Sequence, residues 1–329
     1  MPLKPADVGR RVVVRSLVRG ETGPSGGPAL TDTLGRLERW DSDVLSVRKA
    51  DGTLVRIPLA DVVAGKPIPA PASRRTPRGA GPAARISAEE LERICSEGWP
   101  PAISRLLGDW RLRAAGGFTG RANSALVAGD PGVPFDSALE LVSAFYAGQR
   151  LPALAQVVLG TTEEQALRDR GWVDARPGQG DVLVQVATVT EARRRGTGAA
   201  HDVELSEQAD AAWISRYARA GSADPEVVRA LLEGADEVGF ARIGTPPVAI
   251  GRAAISRDWV GLAAVEVEPE WRGRGLGRAV VESLLSWAAE RGATAAYLQS
   301  LAENDAALGL YASYGFTTHH RYRYLAPRH

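Results

Sequence analysis

"WRGRGLGRAVV", residues 271–281, interleaves Gly273, Gly275 and Gly277 with Arg272, Arg274 and Arg278. It follows a strand-like run, "WVGLAAVEVEP" (259–269). It precedes a helix-like run through Arg291, in which Val280, Leu284 and Trp287, with Val281 and Leu285, keep helical spacing. Two familiar phosphate loops fail on spacing. A dinucleotide-binding Gly-x-Gly-x-x-Gly starting at Gly273 would need glycine where Arg278 stands, and no lysine is near enough for a Gly-Lys-Ser/Thr loop. What remains is Arg272-x-x-Gly275-x-Gly277 between a strand and a helix. Glycines let backbone amides close on a ligand without a Cβ in the way. The first turn of the following helix offers unpaired N–H groups and the positive end of its dipole, which together hold a phosphate or pyrophosphate. The three arginines supplement that charge.

Outward from this loop, the chain alternates helices and strands from Ile86 onward. "SAEELERICSEG" opens as a helix, with Ser87 as N-cap and Glu90 completing a capping box. "DWRLRAAGG" and "RANSALVAG" read as strands, "FDSALELVSAFYAG" as a helix, "ALAQVVLG" as a strand, "TTEEQALRDRGW" as a helix and "DVLVQVATVT" as a strand. A polar break, "EARRRGTGAA" (191–200), follows. Helices then fit "SEQADAAWISRYARA" and "DPEVVRALLEGA", and strands fit "EVGFARIG" and "PVAIGRAAIS". After the loop and its helix come strand "TAAYLQSL", helix "ENDAALGLYASYG" and strand "TTHHRYRYLA". The segments "SALELVSAFYAGQRLPALAQVVLGTTEEQALRDRGW" and "AVVESLLSWAAERGATAAYLQSLAENDAALGLYASYGF" share one order of helix, turn, strand, helix, glycine and aromatic, the trace of an internal duplication.

Residues 9–69 read instead as a small all-β unit. "RRVVVRSLV", "LTDTLGRLERW", "VLSVRK" and "TLVRIPL" are separated by turn chemistry, which suggests four or five strands in a small open barrel of SH3 or Tudor type. "APASRRTPRGAGPAAR" (70–85) has the composition of a flexible linker. At 329 residues with 44% hydrophobic and 24% charged content, two or three compact units are expected. A net charge of +1 argues against a dedicated nucleic-acid or membrane-surface field. Lysine occurs only at Lys4, Lys49 and Lys66 among 40 basic residues; the bias runs the whole length and reads as codon composition rather than a recognition surface. One cysteine, Cys95, leaves no internal disulfide framework. With no signal-peptide core and no membrane-length apolar run, a soluble cytoplasmic protein without a membrane partner is expected.

Downstream, "NDAALGLYASYGF" (304–316) places Asn304 and Tyr311 seven residues apart, two helical turns, on one face, and Gly315 ends that helix. This segment and the Arg272–Arg278 loop together resemble the GNAT superfamily of N-acetyltransferases, whose order of elements spans 201–329. The chain as a whole is similar to bacterial members with an SH3-like barrel in front of tandem GNAT halves, an arrangement also seen in mycothiol synthase. The resemblance implies an α/β (α+β) mixed-sheet fold. It implies a barrel at 1–69, a linker at 70–85, a degenerate GNAT-like half at 86–190 and a catalytic GNAT domain at 191–329. Where the loop should be, the first half has "VAGDPGVPFDSAL", and Arg168 stands at the position of Tyr311. One acetyl-CoA per chain is therefore expected.

By the same resemblance, acetyl-CoA is the co-substrate and no metal is required. Arg272, Gly273, Arg274, Gly275, Leu276, Gly277 and Arg278 would cradle its pyrophosphate, with Asn304 contributing from the later helix. Val265 to Val267 would lend backbone groups to the pantetheine arm and the acetyl carbonyl, and Tyr311 would be the general acid toward the departing thiolate. The base is less defined. Family members often carry a carboxylate where this chain has Gln299, which cannot accept a proton in that role. Glu266, Glu268 and Asp258 lie around the preceding strand, each also readable as a solvated carboxylate; Glu266 is the choice. His201, His319 and His320 titrate in a useful range, with one ring of the last pair expected outside; ordered waters are a further route. Arg121 and Asn123 in "GGFTGRANS" read as a substrate wall or, more simply, a turn. Trp259, Trp271 and Trp287 read as core, and "HRYRYL" as an edge strand whose tyrosines pack on the cleft or in the core. The acceptor is an amine, of a small molecule or of a protein; a homodimer stays open. A competing reading makes the chain a CoA-sensing adaptor whose barrel docks on protein or nucleic acid.

Overall fold

The computed structural model describes residues 3–8, 11–22, 28–49, 53–67, 86–177, 181–198, 201–221 and 223–328. The linker expected at 70–85 lies outside them. The chain divides into two compact units, Met1–Gly79 and Ala80–His329.

In the first unit a short turn at Pro5–Asp7 precedes β1 (Arg11–Thr22), β2 (Pro28–Trp40), β3 (Val44–Arg48), β4 (Leu54–Pro58) and β5 (Val62–Pro67). They form one antiparallel sheet in the order β4-β3-β2-β1-β5. Val12, Val14, Leu37, Leu45, Val47 and Ile57 build its core, alternate residues of each strand turning inward. No pairing of β4 with β5 closes this sheet into a barrel among the described residues. The sequence pattern left β5 indistinct because "VVAGKP" has no alternation to reveal it.

The second unit is built on one sheet of twelve strands. In chain order its elements are α1 (Ala88–Glu97), β6 (Ile103–Leu107), β7 (Trp110–Ala114), β8 (Ala125–Val127), α2 (Phe135–Gly148), β9 (Ala155–Val158), α3 (Thr162–Asp169), β10 (Trp172–Asp174), β11 (Val182–Thr188) and α4 (Val189–Arg194). There follow β12 (Glu204–Ser206), α5 (Ala211–Arg216), α6 (Pro225–Glu233), β13 (Glu237–Ile243), β14 (Ala249–Ser256), β15 (Trp259–Val267), α7 (Leu276–Glu290), β16 (Ala295–Leu301), α8 (Asp305–Ser313) and β17 (Thr317–Pro327). The spatial order is β12-β13-β14-β15-β16-β11-β17-β9-β8-β7-β6, with β10 also on β17. Two neighbouring pairs are parallel, β15 with β16 and β8 with β9, and each is bridged by a helix, as a parallel crossover requires.

Space and chain order part company at the centre. β11 lies between β16 and β17, and β17 pairs in turn with β11, β9 and β10. β17 is thus an interior strand, not the edge strand its alternation suggested. Tyr322, Tyr324 and Leu325 are buried, while Arg323 is satisfied by Asp181 and Asp174 rather than by solvent alone. α7 packs one face of the sheet through Val280, Val281, Leu284 and Leu285, against Ala249 and Ala253 of β14. On the other face Trp99, Phe118, α5 and α6 pack with Ile250 and Ala254 of the same strand.

Local signals explain two departures from the sequence pattern. Ser87 caps α1 by accepting from the Glu90 amide, but the Glu90 carboxylate turns to Arg257 and Arg93, which hold it below the usual carboxylate range. The polar break at 191–200 begins inside α4, where Thr188 caps the helix and Glu191 pairs with Arg194 and Arg195.

Candidate active site

β15 and β16 run together from Trp259 opposite Ala295 to Leu262 opposite Leu298, and their pairing stops there. A bulge parts them. Ile250 faces Glu266 and Arg252 faces Ala263, so Ala264 and Val265 together oppose Gly251, and Ala264 takes φ +53°. In the gap lies a cavity of about 280 Å³. Val265, Leu298, Asn304 and Tyr311 line it toward α7 and α8; Arg121, Tyr217, Glu266, Gln299, Tyr322 and Tyr324 line it from the opposite side.

At the mouth of the gap the glycine loop enters α7. Gly273 and Gly275 take φ +74° and +83°, left-handed conformations that a Cβ disfavours. Gly275 is the N-cap and brings no side-chain acceptor. The first helical bond runs from the Ala279 amide to the Gly275 carbonyl (3.0 Å), which leaves the amides of Leu276, Gly277 and Arg278 outside the ladder. The Leu276 side chain is buried in the core, so its contribution here is its backbone. Arg272 donates from Nε to the Val267 carbonyl (3.2 Å). Arg274 stacks on half-exposed Trp271 (4.9 Å), which is therefore loop rather than core, unlike buried Trp259 and Trp287. Arg278 lies over Tyr314. His201 sits 3.0 Å from the Arg274 carbonyl, bracing the loop rather than facing the cavity.

Asn304 is the N-cap of α8: its side chain accepts from the Ala307 amide (3.1 Å) while it also lines the cavity. Tyr311 is buried edge-on against Phe316, and burial pushes its phenol above the ordinary tyrosine range. Glu266 accepts from the Ala218 amide (2.9 Å), which fixes one carboxylate oxygen. Of the other candidate bases, Asp258 is at the far end of β15, holding Thr294 (2.8 Å). Glu268 is not among the cavity-lining residues.

His319 and His320 both turn toward α1. A bulge sets Val184 opposite His320 but Gln185 opposite Thr318, which brings both rings to one side. The Nε2 of His320 is 2.9 Å from buried Glu92 and that of His319 is 3.2 Å from the Ile86 carbonyl. Neither lines the cavity, and the outward ring expected from the strand pattern is not seen.

The segment "GGFTGRANS" divides its work. Asn123 holds the turn, accepting from the Ala115 and Gly117 amides and donating to the Phe118 and Thr119 carbonyls. Arg121 lines the cavity and donates to Gln299 (3.0 Å), which also accepts from the Tyr322 hydroxyl (2.9 Å). Tyr217, Arg176 and Arg219 complete this wall without any signal in their local sequence. Among the described residues no group of three or more His, Cys, Asp or Glu side chains is placed to hold a metal ion. No helix there is long and apolar enough to cross a membrane.

Comparison with known proteins gives this geometry a lineage. Residues 86–325 match the family described as "Probable histone acetyltransferase Rv0428c C-terminal", and residues 6–66 match the "Rv0428c N-terminal Sm-like domain". The chain is 30% identical to the probable histone acetyltransferase Rv0428c of Mycobacterium tuberculosis, over 97% of this chain and 95% of that one. It is 27% identical to the uncharacterized N-acetyltransferase YobR of Bacillus subtilis, over 71% and 97%. In fold it resembles a GCN5-related N-acetyltransferase from Kribbella flavida (TM-score 0.50, 19% identity, 76% of this chain and 96% of that one). It also resembles a tandem GNAT protein from the clavulanic acid biosynthesis pathway (TM-score 0.50, 13% identity, 75% and 90%). A parted parallel strand pair, a glycine loop at an open helix start and a full-length relative converge: the chain belongs to the Rv0428c family, and is an N-acetyltransferase of GNAT fold with an additional Sm-like domain.

Proposed function

We propose that the protein transfers an acetyl group from acetyl-CoA to a primary amine by direct attack in a ternary complex. One observation carries this reading: α7 starts without a side-chain cap, on two left-handed glycines, at the gap where β15 leaves β16. The residues present fit the donor. The free amides of Leu276, Gly277 and Arg278, with the helix dipole, suit its diphosphate, and Arg272, Gly273, Arg274 and Gly275 surround them. The backbone of Val265 to Val267, released from β16, suits the amide-rich pantetheine arm, and Asn304 flanks the same gap.

The protein's own groups then divide the proton work. Tyr311, kept protonated by burial, supplies a proton to the departing thiolate. Glu266, held by the Ala218 amide, takes the proton that an alkylammonium of pKa about 10.4 must lose before it can attack. The released backbone N–H groups of β15 meet the charge that builds on the carbonyl oxygen. Within this reading residues 191–329 hold the catalytic domain, 86–190 are its degenerate copy, 70–85 link it to the N-terminal five-stranded unit within 1–69, and the protein works in the cytoplasm. Calorimetric titration with acetyl-CoA should return one site per chain, and thiol release should require an added amine. Two equivalent sites refute the degenerate copy; binding without release on any amine favours a CoA-sensing adaptor.

A further inference from the structure

We propose that the amine acceptor carries a carboxylate, and that Arg121 is the residue that pairs with it. The inference rests on the acetyl-transfer reading and adds the class of acceptor.

Arg121 is held ready. It opens a short turn that Asn123 locks with four hydrogen bonds, its guanidinium lies 4.6 Å from the Trp99 ring centre, and Nη1 donates to Gln299. The same indole carries a second guanidinium at 4.9 Å, that of fully buried Arg252, whose Nε and Nη1 go to the Leu232 and Gly98 carbonyls and whose Nη2 has no partner. Neither arginine has a carboxylate partner among the described residues; what they meet are neutral oxygens. Enclosed charge without a counter-ion is costly. Burial, with the charge of Arg121 adding to it, pulls Arg252 down to about 10. Arg219 lines the same cavity, and Glu266 is the one carboxylate among its described lining residues. Arg121 and Arg219 therefore share a single carboxylate there.

The missing anion is not the donor's diphosphate. Trp99 packs with α5 and α6, on the face of the sheet opposite α7. An acceptor with an ammonium toward Glu266 and a carboxylate toward Arg121 satisfies both ends of this wall, whereas a lysine in a strongly basic peptide adds like charge to it.

The test is thiol release from acetyl-CoA with free lysine, β-alanine and glycine, each against its carboxamide, alongside a basic lysine peptide. The wild type should prefer the acids by roughly 10- to 100-fold in kcat/KM, the worth of one charge-assisted hydrogen bond. Arg121→Gln should shrink that preference to about 3-fold or less, with acetyl-CoA affinity unchanged, and Arg121→Lys should restore part of it. Because Arg121 also packs on Trp99, exposed Arg219→Ala serves as a second variant, expected to narrow the preference by a few-fold. Equal use of acids and amides, preference for the basic peptide, or no turnover of either series by a protein that binds acetyl-CoA overturns the proposal. Failure to bind acetyl-CoA at all overturns the acetyl-transfer reading instead.

Discussion

β8, α2, β9 and α3 repeat the order of β15, α7, β16 and α8, down to a parallel strand pair bridged by a helix of 14 residues in one case and 15 in the other. The difference lies in what fills the two equivalent gaps. β8 pairs with β9 along its whole length, from Ala125 opposite Ala155 to Val127 opposite Val157. Beneath it, buried Arg113 reaches Ser124 and Gln156, plugging the space with the protein's own hydrogen bonds. The loop ahead of α2 is closed by carboxylates: Asp109 accepts from the Asp130 amide and Asp130 from the Gly132 amide. Arg168, in the place of Tyr311, pairs with Glu164 and Asp174. Residues 86–190 spend these positions on cohesion, and residues 191–329 leave amides, strand edges and a phenol free for something else.

The largest expected effect comes from making the second loop resemble the first. Gly275→Asp would place a carboxylate at the N-cap of α7, where it accepts from the open amides and repels a diphosphate. Acetyl-CoA affinity should fall by roughly 100-fold or more by calorimetry, combining a lost anion site with charge repulsion, while the strain of a Cβ at φ +83° lowers the melting temperature by only a few degrees and leaves the fold intact. Unchanged affinity would mean the donor does not sit there, and the contrast between the two loops would lose its meaning.

Smaller, and specific to chemistry, is Tyr311→Phe. kcat should drop by about 100-fold, the usual worth of one positioned acid, with acetyl-CoA binding within about 2-fold of wild type. A loss of binding with kcat preserved would make Tyr311 a packing residue like its counterpart.

The mildest effect is alkaline. Burial raises the phenols of Tyr297, Tyr311, Tyr314 and Tyr322 above their ordinary range, and pushes that of Tyr146 in α2 to about 12. A folded pKa above the unfolded value of about 10 means that the contribution is complete below pH about 10 and is lost as the pH rises further. Urea midpoints should stay level with respect to these groups up to that pH and then decline, less steeply in Tyr311→Phe. An identical slope in the variant would show that its phenol is not buried.

Much of the loop side of the cavity, with α7 and α8, was legible because it is local. Glycines and arginines at fixed spacing, then Asn304 and Tyr311 two turns apart, report a strand end, a helix start and a shared face within fifty residues. The opposite wall was not. Arg121 and Gln299 meet across 178 positions, and nothing in either neighbourhood encodes the other. Periodicity identified β11 and β17 as strands, yet a period of two specifies faces and not neighbours, so their places in the sheet were out of reach. His319 and His320 were misjudged because one extra residue in a strand reverses the side on which a ring falls.

The interleaving of β11 and β17 bears on how this molecule is made. β17 is synthesised after every strand it joins, and until it arrives β9, β10 and β11 each lack a neighbour. A chain halted before Thr317 would leave β9, β10 and β11 each short of a neighbour that the finished sheet supplies, so the segment before residue 190 is completed only by the end of the chain.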